Sequence, residues 1–256
     1  MEKQEINGIF FIADKWPLDS EKPTLFFIHG ASGSNILWHE QITDISKIAN
    51  TIALDLPGHG KSKGSGKESI GDYANAVMGL IQKIDTPKPI LCGLSMGGAI
   101  TQQLILDNNK YFSAAILIST GAKLKVMPLI FDLIKTDYSR YVDMLRQFAV
   151  SEKTDSKRLM PIFEETMKCP MEVSLGDFRA CDAFDVTDKL ETVEIPVLIV
   201  TGEDDKLTPK QYGDFFESKI KNSKRIHIMD AGHLVPVEKP DKVNIAISDF
   251  LNKFAS

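Results

Sequence analysis

A chain of 256 residues, 43% of them apolar and 25% charged, can bury roughly three quarters of its unfolded surface as one large α/β domain or two small ones. The formal net charge of −5, with Lys and Arg scattered along the chain, excludes the basic footprint of a nucleic-acid binder. Three cysteines make no disulfide framework in a chain this long.

The first five residues, Met1-Glu2-Lys3-Gln4-Glu5, lack the basic-then-apolar layout of a signal peptide. No apolar run approaches the ~18 residues that span a bilayer. A cytoplasmic location away from membranes is the expectation.

In chain order, residues 9–13 and 24–29 read as strands, 36–48 as a helix and 51–56 as a strand. Residues 70–84 are helical and 90–92 form a short buried strand, followed by a helix after Ser95. Strand character returns at 114–119. The later elements are a strand at 196–201, a helix at 210–220, a strand at 225–229 and a closing helix at 240–254. Strands that are apolar throughout, joined by helices, predict an α/β fold with a parallel sheet covered on both faces.

The segment between breaks that alternation and offers only helical patterns. The expected division is a core domain of 1–120 and 191–256 with a helical lid over 121–190. Tyr138, Tyr141, Val142, Leu145, Phe148 and Ala149 follow helical spacing and mark one apolar face. Residues 126–134 are apolar on more than one side, which predicts cover from two directions. Met127, Met144, Met160, Met167 and Met171 also lie here. Methionine suits a surface that repacks around apolar ligands, and equally suits plain packing against the sheet domain.

The most informative stretch is Gly93-Leu94-Ser95-Met96-Gly97, set between a strand and a helix. A serine at so sharp a turn is forced into a strained conformation that lifts its hydroxyl clear of the main chain, and the glycines remove clashing Cβ atoms. Ser95 is thus a candidate nucleophile. It needs a base, and the base needs a carboxylate to fix its tautomer. Among five histidines, His29 ends a strand, His39 lies in a helix, His59 in a Gly-rich turn and His227 within a strand. His233 stands apart in a loop that follows a strand, where the base of an open α/β sheet belongs.

The acid comes from the loop Gly202-Glu203-Asp204-Asp205, whose exit Thr208-Pro209 reads as an N-cap and first-turn proline. Such a loop also suits a helix N-terminus for dipole reasons alone. The loop after 114–119, Thr120-Gly121-Ala122-Lys123, contains no carboxylate. Gly60-Lys61-Ser62 looks like the end of a phosphate-binding loop, but the glycine required five residues earlier is Asp55.

The order Ser95, Asp205, His233, each at a strand end, resembles the α/β-hydrolase superfamily in its lidded serine esterase-like branch. The carrying motifs are Phe27-Ile28-His29-Gly30-Ala31-Ser32-Gly33, Asp55-Leu56-Pro57-Gly58-His59-Gly60-Lys61-Ser62, Gly93-Leu94-Ser95-Met96-Gly97-Gly98, Gly202-x-x-Asp205-x-x-x-Pro209 and Gly232-His233-x-x-x-x-Glu238-Lys239-Pro240. They extend over nearly the whole chain.

The resemblance implies a mostly parallel central sheet flanked by helices, with a helical lid. Ser95 would be the nucleophile, His233 the general base and Asp205 the orienting acid, with Asp204 as the alternative. The backbone N–H groups of Ala31 and Met96 would form the oxyanion hole, and His29 and the Asp55–Ser62 turn would be structural. No metal or cofactor is implied. The partner would be a small-molecule ester, with an apolar acyl or alcohol moiety of small to medium size favoured by Phe131, Phe148, Phe163, Phe178 and Phe184. The chain would act as a monomer or homodimer. Hydrolysis of a lactone, thioester or C–C bond, or ligand sensing with slow turnover, uses the same fold.

Overall fold

The computed structural model describes residues 1–87 and 89–253. Eight strands form one sheet: β1 (Glu2–Ile6), β2 (Ile9–Ala13), β3 (Thr24–Ile28), β4 (Asn50–Leu54), β5 (Ile90–Leu94), β6 (Ala114–Ile118), β7 (Val197–Gly202) and β8 (Ser223–Ile228). Their spatial order is β1-β2-β4-β3-β5-β6-β7-β8. The pairs β1–β2 and β2–β4 are antiparallel, and every later pair is parallel.

The sequence reading had no β1, because its residues are polar and mostly exposed. Its signal was the Asn7-Gly8 pair, both at positive φ, which closes a two-residue hairpin between Ile6 and Ile9. The expected strand at 90–92 runs two residues further, to Leu94. The expected helix at 36–48 is instead a 3-10 turn, Asn35–Trp38, followed by α1 (His39–Ile45).

The central strands are apolar throughout because both faces are covered. Phe26, Ile28, Leu91, Leu117 and Ile199 face one core layer with α2 (Ile70–Ile84) and α3 (Met96–Asp107). Leu25, Phe27, Cys92, Ile116 and Leu198 face the other, with α1 and α10 (Pro240–Leu251). Residue 254, the expected end of the closing helix, lies outside the described residues. Near that helix, α9 (Val235–Glu238) is a single turn too short for periodicity to reveal.

Between β6 and β7 the chain forms α4 (Pro128–Thr136), α5 (Tyr138–Ala149), α6 (Ser156–Lys168) and α7 (Met171–Ala183). The segment leaves and returns at one place, where Val186 N–H donates to Ala122 C=O at 2.8 Å and Lys123 bridges Asp185. The following helix α8 (Lys210–Lys219) packs on β7 and β8.

Two expectations about this segment need correction. Residues 126–134 are not covered from two directions, since Met127 and Leu129 are about half exposed. Four of the five methionines, Met127, Met160, Met167 and Met171, are about half exposed, and none of them lines the cavity beside Ser95. Residue type was informative about the apolar face of α5, where Tyr141, Val142 and Ala149 are buried, but Phe148 on that face is exposed. No helix among the described residues is long and apolar enough to cross a membrane.

Gly79 sits inside α2, and a Cβ built there meets nothing within 4 Å. Replacing it with Ala relieves the entropy cost of glycine without a clash. Gly79→Ala is expected to raise the unfolding free energy by about 1 kcal/mol, measured as a higher urea midpoint at unchanged m.

Candidate active site

The C-terminal ends of the parallel strands bring the site together. Ser95 joins β5 to α3 with φ 56° and ψ −117°, a strained conformation for a residue with a Cβ. Its N–H donates to Ile118 C=O at 3.0 Å, and its C=O accepts from Thr120 Oγ1 at 2.7 Å. The neighbouring glycines are required by space. A Cβ on Gly93 would lie 2.0 Å from Gly97 O, and one on Gly97 would lie 2.2 Å from Ile28 O. The Met96 N–H opens α3, so it is among the donors that a helix leaves unpaired at its N-terminus.

His233 Nδ1 donates to Asp205 at 2.9 Å (Oδ2) and 3.1 Å (Oδ1), which leaves Nε2 for a second partner. Asp205 is buried. Its Oδ1 accepts from the N–H groups of Leu207 and Thr208, each at 2.9 Å, and its Oδ2 from Thr208 Oγ1 at 2.7 Å. Burial opposes ionisation of Asp205, but the facing His233 and these hydrogen bonds hold its carboxyl below the ordinary carboxylate range.

Thr208 was expected to cap α8. Instead its hydroxyl serves Asp205, and the helix starts at Lys210 with Pro209 as the cap residue and no side-chain cap bond. Asp204 is turned away from His233. Its Oδ2 accepts from Ser151 Oγ, and its N–H donates to Ala231 C=O at 2.8 Å.

Ser95 and His233 line one cavity of ≈ 100 Å³. Among the described residues no hydrogen bond joins the Ser95 hydroxyl to the ring; such contacts are often long in unliganded enzymes. Gly30 and Ala31 form one side of the cavity. The rest of the wall is mostly apolar, chiefly Leu37, Leu94, Leu145, Ile162, Phe163 and Phe178, with Ser34 and Thr166 as its polar side chains. Apart from His233, no titratable side chain lines it.

The His233 loop is fixed from two directions. His233 N–H donates to Ala149 C=O, at the end of α5, at 2.8 Å. The buried Glu238 carboxylate accepts from Gly232 N–H at 3.0 Å, Ser151 N–H at 2.9 Å and Thr154 Oγ1 at 2.7 Å.

His29 is held as a structural group. Its Nδ1 donates to Gly30 C=O at 2.8 Å, and its Nε2 accepts from Leu56 N–H at 3.0 Å. Burial, together with the nearby His59, pulls its pKa down to about 3, so the ring stays neutral. In the Asp55–Ser62 turn, the Asp55 carboxylate accepts from Asn35 N–H and Lys61 N–H at 2.7 and 2.8 Å. A Cβ on Gly60 would meet that carboxylate at 2.3 Å.

Sequence reasoning missed Asp177, on α7. Its fully buried carboxylate accepts from Ser32 N–H (2.8 Å), His59 Nε2 (2.8 Å) and Tyr73 OH (2.6 Å). The signal available was Ser174 and Asp177, polar residues one turn apart on the same helix face as the small and apolar Val173, Gly176, Ala180 and Cys181. Among the described residues no group of three or more His, Cys, Asp or Glu is arranged to hold a metal ion.

Burial opposes charging His59, but the Asp177 carboxylate dominates and holds the ring well above the usual imidazole range. The folded-state pKa therefore exceeds the unfolded value of ~6.5. The resulting stabilisation is full below the unfolded value and is lost as pH rises through the folded one. In urea titrations, the stability advantage of the native chain over His59→Gln should be constant below pH ~6.5 and shrink on the alkaline side. An advantage that instead grows as pH rises through ~6.5 would mean that the fold holds His59 neutral, and one independent of pH would mean that folding leaves its pKa unshifted.

A model of the alpha/beta hydrolase family matches residues 25–246. The chain is 26% identical over 250 residues to the uncharacterized hydrolase YugF of Bacillus subtilis, spanning 90% of each chain. It is 24% identical over 243 residues to 3-oxoadipate enol-lactonase 2 of Acinetobacter baylyi, spanning 92% of this chain and 91% of the relative. The solved structure of a thermophilic esterase superposes with a TM-score of 0.85 at 30% identity, covering 98% of this chain and 97% of the other. The chain belongs to the alpha/beta hydrolase family, and is a hydrolase of that family.

Proposed function

We propose that this chain is a serine esterase that hydrolyses small, neutral carboxylic esters, with the 121–190 segment as its lid. One observation carries the reading. Ser95, at positive φ, shares a cavity with His233, whose Nδ1 is held 2.9 Å from the buried Asp205.

In that reading Ser95 Oγ attacks the ester carbonyl carbon while His233 Nε2 takes its proton, and Asp205 stabilises the imidazolium. The carbonyl π electrons move to oxygen, where the N–H groups of Ala31 and Met96 receive the negative charge. Collapse breaks the C–O bond, and His233 returns its proton to the departing alcohol. Water, activated by the same histidine, then attacks the acyl-Ser95 ester and releases the acid.

The cavity supports the substrate class. About 150 Å³ of apolar space accepts a benzene ring, so ≈ 100 Å³ suits a short acyl group rather than a fatty chain. A carboxylate-bearing ester or lactone would meet no cation on this wall, and burying an unpaired charge is costly. The relatives include both an esterase and an enol-lactonase. The uncharged wall favours the neutral ester.

Ser95→Ala should abolish turnover and labelling by a fluorophosphonate while leaving the far-UV spectrum unchanged. Asp205→Asn should lose on the order of 10⁴ in kcat, because an amide favours the wrong imidazole tautomer, whereas Asp204→Asn should be mild. Substantial turnover by Ser95→Ala would end the serine mechanism, and a reversed ranking of the two aspartates would move the orienting acid by one position.

A series of p-nitrophenyl esters should show kcat/KM highest for the shortest acyl groups and falling as the chain outgrows the cavity. A hemisuccinate ester should be at least ~10-fold poorer than the butyrate, since each 1.4 kcal/mol is a factor of ten. Preference for long or anionic acyl groups would contradict this assignment of substrate.

A further inference from the structure

Ala31, one of the two residues proposed to receive the oxyanion, is followed by a residue held in an unusual way. Ser32 is fully buried and adopts φ 55°, a left-handed conformation that a residue with a Cβ rarely adopts without constraint. It sits in the 30–33 turn, closed by Gly33 N–H donating to Gly30 C=O at 3.2 Å, and its other partners come from the helical segment. Its N–H donates to Asp177 Oδ2 at 2.8 Å. Its hydroxyl donates to Ser174 Oγ at 2.8 Å and lies 3.0 Å from Tyr141 OH. The N–H of Ser32 belongs to the same rigid peptide plane as the carbonyl of Ala31. Anchoring that plane therefore restricts the dihedrals of Ala31 and the direction in which its own N–H points.

Asp177 is itself immobilised. Its Oδ1 accepts from Tyr73 OH at 2.6 Å, and its Oδ2 also accepts from His59 Nε2 at 2.8 Å. Side chains of Asp177, His59 and Tyr73 are excluded from solvent. Behind them α7 lies close against the core, because a Cβ on Gly176 would come within 2.6 Å of Lys67 O. A hydrogen bond from an N–H to a carboxylate is roughly twice as strong as a neutral one, and it is stiffer still when the acceptor cannot move.

We propose that Asp177 is a positioning residue for catalysis: from the lid, it holds the Ala31-Ser32 peptide so that the Ala31 N–H is aimed at the developing oxyanion. This rests on the serine-esterase reading of the site. It gives the helical segment a part in the chemical step as well as in covering the substrate.

The test compares Asp177→Ala, Asp177→Asn and Tyr73→Phe in the full-length protein, well below their melting temperatures. Each is assayed for kcat and KM on a short neutral ester. Each is also assayed for affinity toward an alkyl trifluoromethyl ketone, which Ser95 converts to a tetrahedral oxyanion. The matching methyl carbinol, which cannot react, serves as a control for binding alone.

Asp177→Ala should lower kcat by about 10²-fold, the lower end of what the loss of an oxyanion donor costs, with KM within about threefold. Affinity for the trifluoromethyl ketone should fall in parallel, and affinity for the carbinol should not change. Asp177→Asn keeps an oxygen for Ser32 N–H but loses the charge, so it should lose about tenfold in both oxyanion-dependent readouts. It carries the test if the alanine variant does not fold. Tyr73→Phe takes one hydrogen bond from the same carboxylate without freeing Ser32, so its kcat and ketone affinity should fall, but by less than in Asp177→Asn.

Full kcat and full ketone affinity in an Asp177 variant would overturn the proposal. So would a Tyr73→Phe variant as impaired as they are, because that is the mark of a general packing role. If Ser95→Ala is inactive while the Asp177 variants are fully active, only this inference fails. If Ser95→Ala still turns over, the serine reading fails first.

Discussion

The close approach of α3 to the sheet at the Ser95 turn is the constraint on which the rest of the site depends. Gly93 and Gly97 allow backbone contacts that no side chain would permit, with hypothetical Cβ atoms only 2.0 and 2.2 Å from carbonyl oxygens. That contact sets Ser95 at φ 56° above the C-terminal end of β5. The same contact brings the first turn of α3 beside the end of β3, where a Cβ on Gly97 would also lie 2.6 Å from His29 O. A strained residue persists only when its surroundings over-determine it. Here the Ile118 and Thr120 hydrogen bonds do so.

The rest of the site is stitched to this turn by buried carboxylates. Asp205 accepts backbone and hydroxyl donors as well as the His233 ring, so the ring can rotate little. Glu238 ties the His233 loop to Ser151 and Thr154, beyond the end of α5. Asp177 ties α7 to the loop after β3. A buried carboxylate without partners would be strongly destabilising, so each of these makes the fold depend on its donors staying in place. Two of the three bonds cross between the sheet and the helical segment. The proposed lid is thus joined to the site by specific polar contacts as well as by apolar packing.

The family match, residues 25–246, takes in the helical segment as well as the sheet. The resemblance to an esterase structure and to an enol-lactonase extends over nearly the whole chain. The cavity wall is shared between the loops at the strand ends and α5, α6 and α7, which contribute Leu145, Ala149, Ile162, Phe163, Thr166 and Phe178. Its small volume and lack of charge are consequences of which side chains those loops and helices turn inward.

The sequence by itself determined the alternation of buried strands and helices, the strained turn at Ser95, and the strand-end loops that hold Asp205 and His233. These are local signals: apolar runs, glycine spacing and loop composition reflect the backbone conformation of their own few residues. It left β1 unread because an edge strand exposed on its polar residues has no apolar pattern to show. Only the tertiary structure decided that Asp205 faces His233 while its neighbour Asp204 turns to Ser151. Only it showed that four of the five methionines of the helical segment are exposed, and that Asp177 meets Ser32 across 145 residues of chain. The physical reason is common to all three. Which neighbour a side chain meets depends on how separate elements pack, and a helix with two plausible apolar sides, or a loop with adjacent acids, does not encode that choice in its own sequence.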